Sequence, residues 1–532
     1  MDPGSILVVA VVAVVGGLLG ATCALVPGFH SNALSLILLA LLGPLSSALS
    51  SFASLSGSDL SGVVLFAAFL TAAATSHSFA DFVPSIFMGV PDEDTILSML
   101  PAHRMLKSGK GMDAIRHAAM GSLCGALLAL VMAMPLLLLL RPPSYFARML
   151  DASVPCLLIG VLALLVLTER GHEPPRAILD VREGRQSPRG QVSICHSIPV
   201  NGREGTLSGW VTRRGLRSFH LSTLQGEWKV ISGLRKPDRG YLAVQGKWIV
   251  RRGSARSKLA ALSVLMLSGF LGFAVMNSRP PLTGYFDGLG QSLLFPLLSG
   301  LFALPTLLSA FSSKAIPAQD RSSQESPSLR PALAGTFAGF LAGWMPGVTS
   351  TIGTVIGSCI SPRPKDQERG TKSYILMLSA VGTSSVVFSL LALCVDGSGR
   401  TGAMLALKQA LSRDDLVALS DFPSAPASLL LVAVLVSSAI GYGYTIWAGG
   451  LLSRRTAGRD LGKVNRIVLL GLASMIFAFN GLPGLALTGV AALVGALPVR
   501  LGIRRVHLTG CLLLPLIIFY LGLEGTAIGL LW

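Results

Sequence analysis

The stretch GGLLGATCALVPGFHSNALS at Gly16–Ser35 has a second copy in the same chain, GTFAGFLAGWMPGVTSTIGT at Gly335–Thr354. When the two Pro-Gly pairs are aligned, six positions match in type without a gap. Each copy begins as an apolar helix with small residues every four positions, a spacing that lets membrane helices approach closely. The Pro-Gly pair then removes a backbone donor and admits non-helical dihedral angles, so it predicts a helix break.

A helix break followed by polar residues, and present in both halves of a chain, is typical of transporter binding sites. The alternative is two unrelated proline kinks in packed helices. A later apolar run adds a Gly-hydroxyl cluster that either lines a site or bonds to its own helix backbone. The predicted substrate-binding residues are Pro27, Gly28, His30, Ser31, Asn32, Pro346, Gly347, Thr349, Ser350, Thr351, Thr383 and Ser384.

The composition indicates a helical membrane protein. Hydrophobic residues make up 51% of the 532 residues, charged residues only 13%, and the mean hydropathy is +0.65. Soluble proteins carry roughly a quarter charged residues. Because the apolar runs are continuous and not alternating, they predict helices and exclude a membrane β-barrel. The seven cysteines contain no CxxC pair and favour neither a metal site nor a disulfide framework.

Thirteen apolar runs predict about 11–13 membrane helices with re-entrant segments, arranged as an internal repeat. The first half of the membrane domain is expected over residues 1–168 and the second over 258–532. The N-terminal residues lack the basic region of a cleavable signal, so the first run is read as a membrane helix. The runs are 5–26, 33–55, 62–80, 117–140, 150–167, 258–277, 290–311, 331–345, 372–394, 425–450, 464–480, 482–498 and 506–531.

A dense polar patch at His77–Ala119 contains the titratable residues that could couple transport to an ion. The run Asp92–Asp94 either binds a cation through carboxylate oxygens or caps a helix that begins near Thr95. His30, inside the first break, either carries a proton or donates at the water interface. The candidate coupling residues are His30, Asp81, Asp92 and Asp94, with Na⁺ or H⁺ as the ion and no other cofactor or metal.

Residues 169–257 differ in character from the rest of the chain. Thr168–Lys258 holds 18 of the Lys and Arg residues against 7 Asp and Glu, which accounts for most of the net charge of +17. Alternating strand patterns between Gly turns predict a small all-β soluble domain, OB-like in composition. Basic segments beside membrane helices are usually cytoplasmic. The insert either regulates, assembles or contacts lipid, or binds nucleic acid, which the pattern favours less.

Several segments resemble the large permease subunit of the tripartite tricarboxylate transporters, in particular its archaeal-type branch. The insert and the segment Gly89–Asp94 depart from the bacterial pattern of that family. The matching segments are PGFHSN at Pro27–Asn32, FADFVPSIFMGVPDEDTILSMLPAHRMLKSGKG at Phe79–Gly111, LLFPLLSGLFALPTLL at Leu293–Leu308, WMPGVTS at Trp344–Ser350 and GIRRVHLTGCLLLP at Gly502–Pro515.

The resemblance implies a multi-pass cell-membrane protein that transports a small carboxylate such as citrate, driven by a proton or sodium gradient, and not an enzyme. It also implies a small membrane subunit and an extracellular solute-binding protein as partners; a homodimer is left open. Alternating access would bring the substrate carboxylates to the two Pro-Gly breaks. The competing functions are a membrane enzyme acting through the polar patch and a membrane anchor for a nucleic-acid- or lipid-binding β module.

Overall fold

The structure is a computed structural model, and the part of the chain that it describes has gaps. For the strands between residues 178 and 250 it describes the backbone alone. The described residues are 3–26, 31–88, 102, 105–106, 108–140, 145–169, 178–180, 191–200, 203–212, 215–223, 226–230, 241–243, 246–250, 255–278, 293–310, 316–320, 328–345, 348–361, 367–420, 424–458 and 461–531.

Helices form the described residues before the insert, because long apolar runs satisfy their backbone groups only within a helix when no water is near. The side chain of Ser61 caps one of them, accepting from the backbone N–H of Val64 at 3.3 Å. The helices are α1 (Pro3–Ala24), α2 (Ser31–Ala40), α3 (Leu42–Leu55), α4 (Gly62–Ala80), α5 (Phe82–Met88), α6 (Gly111–Leu140) and α7 (Tyr145–Leu167).

The residues after the insert are helical as well. A π-helical turn (Ser299–Ala303) joins two short helices, and a 3₁₀ turn (Arg505–Thr509) precedes the last apolar helix. Gly481, with φ of 63°, interrupts the longest helix at the point where the sequence separates two apolar runs. The helices are α8 (Ala255–Asn277), α9 (Leu294–Leu298), α10 (Leu304–Ala310), α11 (Leu329–Trp344), α12 (Ser350–Ile360), α13 (Gln367–Asp396), α14 (Gly402–Ala410), α15 (Arg413–Ser420), α16 (Ala425–Thr456), α17 (Leu461–Leu501), α18 (Gly510–Tyr520) and α19 (Glu524–Leu531).

Seven helices among the described residues are long and apolar enough to cross a membrane. This confirms the helical membrane class and gives fewer full-length spans than the expected 11–13. Four further apolar helices have 10–17 residues, too few for the roughly 20 that a bilayer requires. Two of these short helices are Ser350–Ile360 and the paired segment Leu294–Ala303, which correspond to apolar runs in the sequence.

The described residues of the insert between 178 and 250 are strands. Five of them form an antiparallel sheet in the order β2-β3-β4-β5-β7, and β1 pairs with β6. The inserted all-β domain and its OB-like form stay predictions. The strands are β1 (Ile178–Asp180), β2 (Gln191–Val200), β3 (Arg203–Thr212), β4 (Gly215–Thr223), β5 (Gly226–Val230), β6 (Tyr241–Ala243) and β7 (Gly246–Val250).

The chain divides into two compact units. The first unit comprises Met1–Val161, Phe270–Gly495 and Cys511–Trp532, and the second comprises Leu162–Gly269 and Ala496–Gly510. In the second unit the fully buried carboxylate of Glu169 accepts from Arg504 Nε at 3.0 Å and lies 2.5 Å from His507 Nε2. Since a buried charge needs partners, this cluster fixes the end of α7 to the turn at 504–507.

Within the first unit, three helices that we call the first bundle (α1, α4 and α16) pack on one another in the same direction. Gly16 and Gly20 of α1 lie against the backbone of Phe69 and Ala73 of α4. The hydroxyl of Ser76 on α4 donates to the carbonyl of Ser437 on α16 at 2.8 Å. The three helices are therefore parallel, with residue numbers increasing in the same direction along each.

A second bundle (α6, α11 and α13) has the same organisation. Gly335 and Gly343 of α11 lie against the backbone of Met377 and Ser385 of α13, and Gly121 of α6 lies against Leu376 of α13. A Cβ at any of these glycines would overlap backbone atoms of the neighbour. The small residues thus allow the close helix approach that the sequence pattern predicts.

The two bundles run in opposite directions. Gly449, near the end of α16, lies against Ile115, near the start of α6. One apolar cluster joins α5, which follows the end of α4, to the first turns of α6 and α13; it includes Phe82, Ile115 and Ile375. The ends of first-bundle helices therefore meet the starts of second-bundle helices.

A buried ion pair connects the starts of α6 and α13. Lys372 Nζ lies 3.4 Å from Asp113 Oδ2 and 3.1 Å from Glu368 Oε1, and the Lys372 and Asp113 side chains are only 6% and 4% exposed. Lys110 bonds to Glu368 at 2.6 Å, with both side chains about two-fifths exposed. The network joins a helix from before the insert to one from after it.

We expect Gly20→Ala to destabilise the protein by about 1–3 kcal/mol, because the added methyl group would overlap the backbone of Ala73. Gly160→Ala on α7 is the control, since open space surrounds that position. Thermal unfolding in detergent measures both. Equal melting temperatures for the two variants would show that α1 does not pack on α4 as described.

We expect Lys372→Met to cost about 3–5 kcal/mol, since it leaves the buried Asp113 carboxylate without its buried cation. Lys110→Met should cost no more than about 1 kcal/mol, because its ion pair is exposed. Adding Asp113→Asn to Lys372→Met should recover part of the loss. Chemical denaturation of the three variants checks this, and an additive double variant would contradict the pairing.

Candidate functional site

The first broken helix lies in the first unit. Helix α1 ends at Ala24 and α2 begins at Ser31, whose carbonyl accepts from the hydroxyl of Ser35 at 2.7 Å. Ser31 is half-buried and Asn32 is exposed. Of the site residues predicted here, Pro27, Gly28 and His30 lie outside the described residues. Two separate helices therefore flank the Pro-Gly pair, as the sequence predicts.

The second broken helix has the same plan. Helix α11 ends at Trp344 and α12 begins at Ser350. Thr349 caps α12, its hydroxyl accepting from the backbone N–H of Ile352 at 3.4 Å. Thr351 is buried. The predicted residues Pro346 and Gly347 lie outside the described residues.

Helix α14 provides a third helix start, which the sequence analysis did not single out. The hydroxyl of Ser389 on α13 accepts from the backbone N–H groups of Arg400 at 3.2 Å and Thr401 at 3.0 Å. Thr401 in turn caps α14. A Cβ at Gly402 would overlap the side chain of Asn32, so α2 and α14 begin side by side.

Buried hydroxyls of α13 and α4 lie beside these starts. Ser385 bonds to Ser350 at 3.2 Å, next to the start of α12. Ser78 of α4 donates to Thr383 of α13 at 3.2 Å, and both side chains are buried. Thr383, Ser385 and Ser389 fall within seven residues, about 9 Å along a helix. This polar segment of α13 therefore contacts the start of α12 through Ser385 and the start of α14 through Ser389.

Ser384 has a different role from the one predicted. Its hydroxyl donates to the carbonyl of Ala380 at 2.5 Å, and it packs where a Cβ at Gly339 would stand. The alternative that the sequence left open, a hydroxyl bonded to its own helix, is what the structure has at this position. Thr383, by contrast, bonds across to α4.

Of the four candidate coupling residues, the structure describes Asp81. Asp81 is buried at the end of α4, where its backbone N–H donates to the carbonyl of His77 at 3.1 Å. His30, Asp92 and Asp94 lie outside the described residues. His77, one turn before Asp81, is 1% exposed and was missed as a candidate. The run Thr-Ser-His-Ser inside an apolar helix was the signal for it.

The arrangement suits an anion. Helix starts present free N–H groups and the positive end of the helix dipole, and hydroxyls can donate further hydrogen bonds. Helices α2 and α12 carry no acidic side chain. No cluster of three His, Cys, Asp or Glu that could hold a metal ion occurs in the part of the chain that the structure describes.

Comparisons with known proteins agree with this chemistry. The profile of the tripartite tricarboxylate transporter TctA family matches residues 10–198 and 230–510. A stretch of 161 residues is 27% identical to an uncharacterised protein of Methanocaldococcus jannaschii and covers 30% of this chain and 36% of that protein, so the match spans about a third of the relative's length. No solved structure matches the chain.

The family is one of transporters and not of enzymes, and its members are components of tripartite systems that use a small membrane subunit and a solute-binding protein. The archaeal-type branch stays a prediction. Because the profile covers most of the chain, this multi-pass membrane protein belongs to the tripartite tricarboxylate transporter TctA family.

Proposed function

We propose that the protein is a secondary active carrier of small di- or tricarboxylates, coupled to an ion gradient and working by alternating access. The observation that carries the proposal is the convergence of helix starts with buried hydroxyls: Ser385 beside α12, Ser389 beside α14, and Asn32 of α2 beside Gly402. Such a site can bind carboxylates through N–H and O–H donors.

The predicted substrate residues keep their proposed role with two changes. Ser384 serves helix packing, and Ser385 takes its place at the site because it touches Ser350. The half-buried Arg400 precedes the α14 start and adds a fixed positive charge that favours anionic substrates. The residues outside the description, Pro27, Gly28, His30, Pro346 and Gly347, stay proposed members of the site.

The proposed internal repeat is supported by the bundles to which the two corresponding helices α1 and α11 belong. Helix α1 packs on α4 and α16, whereas its sequence counterpart α11 packs on α13 and α6. The bundles run in opposite directions, which is the relation expected of inverted-topology repeats. In this proposal each bundle combines helices from both halves of the chain, and access alternates as one bundle moves against the other.

Na⁺ or H⁺ is the proposed coupling ion, with His30, Asp81, Asp92 and Asp94 as its candidate ligands. A small membrane subunit and a solute-binding protein are the proposed partners. The insert at 169–257 is proposed to be a cytoplasmic all-β module for regulation, assembly or lipid contact, because it carries most of the basic excess of the chain.

We expect proteoliposomes containing the protein to accumulate labelled citrate or a related carboxylate when a Na⁺ or proton gradient is imposed. Thr383→Val should reduce kcat/KM for uptake about 10–100-fold, the effect of losing a hydrogen bond to a charged ligand. Thr336→Val is the matched control, because that buried hydroxyl bonds only to Ala332 of its own helix among the described contacts.

Two outcomes of these uptake measurements would contradict the proposal. If wild-type protein accumulates no carboxylate under either gradient, even with candidate solute-binding proteins added, the carrier function is wrong. If Thr383→Val and Thr336→Val behave alike in a competent preparation, the site lies elsewhere.

Deleting residues 172–255 should leave part of the uptake activity, because the helix starts and hydroxyls lie in the first unit. The measurement is gradient-driven uptake per mole of reconstituted protein, with size-exclusion chromatography as the control for folding. Complete loss of uptake in a monodisperse deletion variant would assign the activity to the insert.

A further inference from the structure

We propose that His77 and Asp81, one helical turn apart on α4, form a proton-binding site that couples carboxylate uptake to the proton gradient. The inference rests on the proposed function and deepens it, since it names the coupling ion and the residue that carries it. The side chains of His77 and Asp81 are 1% and 3% exposed. Ionisable groups buried in membrane helices are expensive and mark ion pathways.

The first argument is the register of the two halves. Gly16 and its sequence counterpart Gly335 lie against Phe69 and Met377, and Gly20 lies against Ala73 as Gly339 lies against Val381. Both pairings align the sequence of α4 with that of α13 in the same way. In this alignment Thr75 and Ser76 correspond to Thr383 and Ser384, so identical Thr-Ser pairs coincide.

The same alignment makes His77 the counterpart of Ser385, and Asp81 the counterpart of Ser389. In the second half these two hydroxyls meet helix starts: Ser385 bonds to Ser350 of α12, and Ser389 accepts from the N–H of Thr401 before α14. The first half therefore places a histidine and an aspartate where the second half places two uncharged side chains against its helix starts.

The second argument is the direction in which α4 presents these residues. Ala73 and Ala80 lie against α1, and Ser78 bonds to Thr383 of α13. At 100° per residue, His77 and Asp81 lie about 40° and 80° from Ala73 on the side of Ser78. Both residues therefore occupy the sector between α1 and α13, near the end of α1.

The third argument is the placement of the charged groups on the described elements that pack against α4. The described residues of α1, α2, α3 and α5 carry no acidic or basic side chain. At the starts of α6 and α13, Asp113 pairs with Arg116 and with Lys372. The ionisable groups on elements packed against α4 are Cys23 of α1, Asp113, Arg116, His117 and Cys124 of α6, Glu368, Arg369, Lys372, Tyr374, Cys394 and Asp396 of α13, Lys408 of α14 with Arg400 just before it, and Tyr442, Tyr444, Arg454 and Arg455 of α16.

The charge balance gives the coupling. A proton bound at an imidazole nitrogen of His77 makes the pair more positive by one charge. Over a short, poorly screened distance this change favours the binding of an anionic substrate. By linkage, a bound carboxylate raises the proton affinity of the pair by the same factor. Proton and carboxylate therefore bind and move together.

The test compares proteoliposomes with wild-type protein, His77→Gln and Asp81→Asn, and uses His117→Gln of α6 as the matched buried control. For the wild type and His117→Gln, KM for the carboxylate should rise about tenfold per pH unit above the apparent pKa of the pair. For His77→Gln and Asp81→Asn, KM should change less than about twofold between pH 6 and 8. His77→Gln should lose accumulation driven by a proton gradient and keep exchange of labelled for unlabelled substrate.

Two results would overturn the inference. One is a wild-type pH profile with proton-driven accumulation in folded His77→Gln; the other is accumulation driven by Na⁺ alone with no dependence on pH. A purely structural role for His77 predicts equal losses of uptake and exchange and leaves the pH profile unchanged. If His77→Gln is not monodisperse on size exclusion, the test uses Asp81→Asn and Asp81→Glu instead. A KM that does not depend on pH is then expected for Asp81→Asn and not for Asp81→Glu.

A second readout separates this inference from the proposed function. In protein with ¹⁵N-labelled histidine, the imidazole signal absent from His77→Gln should titrate between pH 5 and 8 and shift its midpoint in Asp81→Asn. Failure of wild-type uptake with this titration intact would reject the carrier and keep the proton site. Uptake by the wild type with a signal that does not titrate would keep the carrier and reject the proton site.

Discussion

A backbone amide at membrane depth needs a partner inside the protein, because hydrocarbon offers none. The broken helices of this chain satisfy that requirement locally. Thr349 caps α12, and Ser389 with Thr401 holds the start of α14. Thr349 and Thr401 cap their own helices, whereas Ser389 reaches the start of α14 from the neighbouring α13. Close packing of α1 on α4 and of α11 on α13 depends on glycines, because a Cβ there would overlap the neighbouring helix. Local caps and close helix packing therefore act together at the breaks.

The helical membrane class, the two breaks and the small-residue faces could be predicted from the sequence, because each has a local cause. Apolar runs and Pro-Gly pairs act on their own backbone. Among the described residues fewer full-length spans occur than the sequence predicts, since an apolar run of sufficient length can be two short helices: 33–55 divides at Leu41, between α2 and α3. A run of apolar residues does not reveal that the chain changes direction within it.

The identity of the site residues was harder to predict, because a hydroxyl has two uses in a membrane helix. Thr383 and Ser384 are neighbours with the same chemistry, yet one bonds across to Ser78 and the other to its own helix. The glycine opposite decides this, and which glycine is opposite depends on helix register. His77 stands in a polar Thr-Ser-His-Ser run that the sequence does show, but its counterpart Ser385 on α13 is known only from the helix register.

In the proposed mechanism the first half binds the proton and the second half does not, although their helices are arranged alike. In the proposed inverted repeat the two halves have similar sets of helix starts, and with the same residues at both sets the protein would hold two equivalent neutral sites. Ser385 and Ser389 have no group that titrates near neutral pH, so these two side chains give the second half no dependence on protons in binding an anion. His77 and Asp81 make the first half sensitive to one proton. In the proposed carrier the substrate binds between the halves, so proton and anion affect each other's binding at one site. On this proposal the sequence difference between the repeats, more than their likeness, couples the site to the proton.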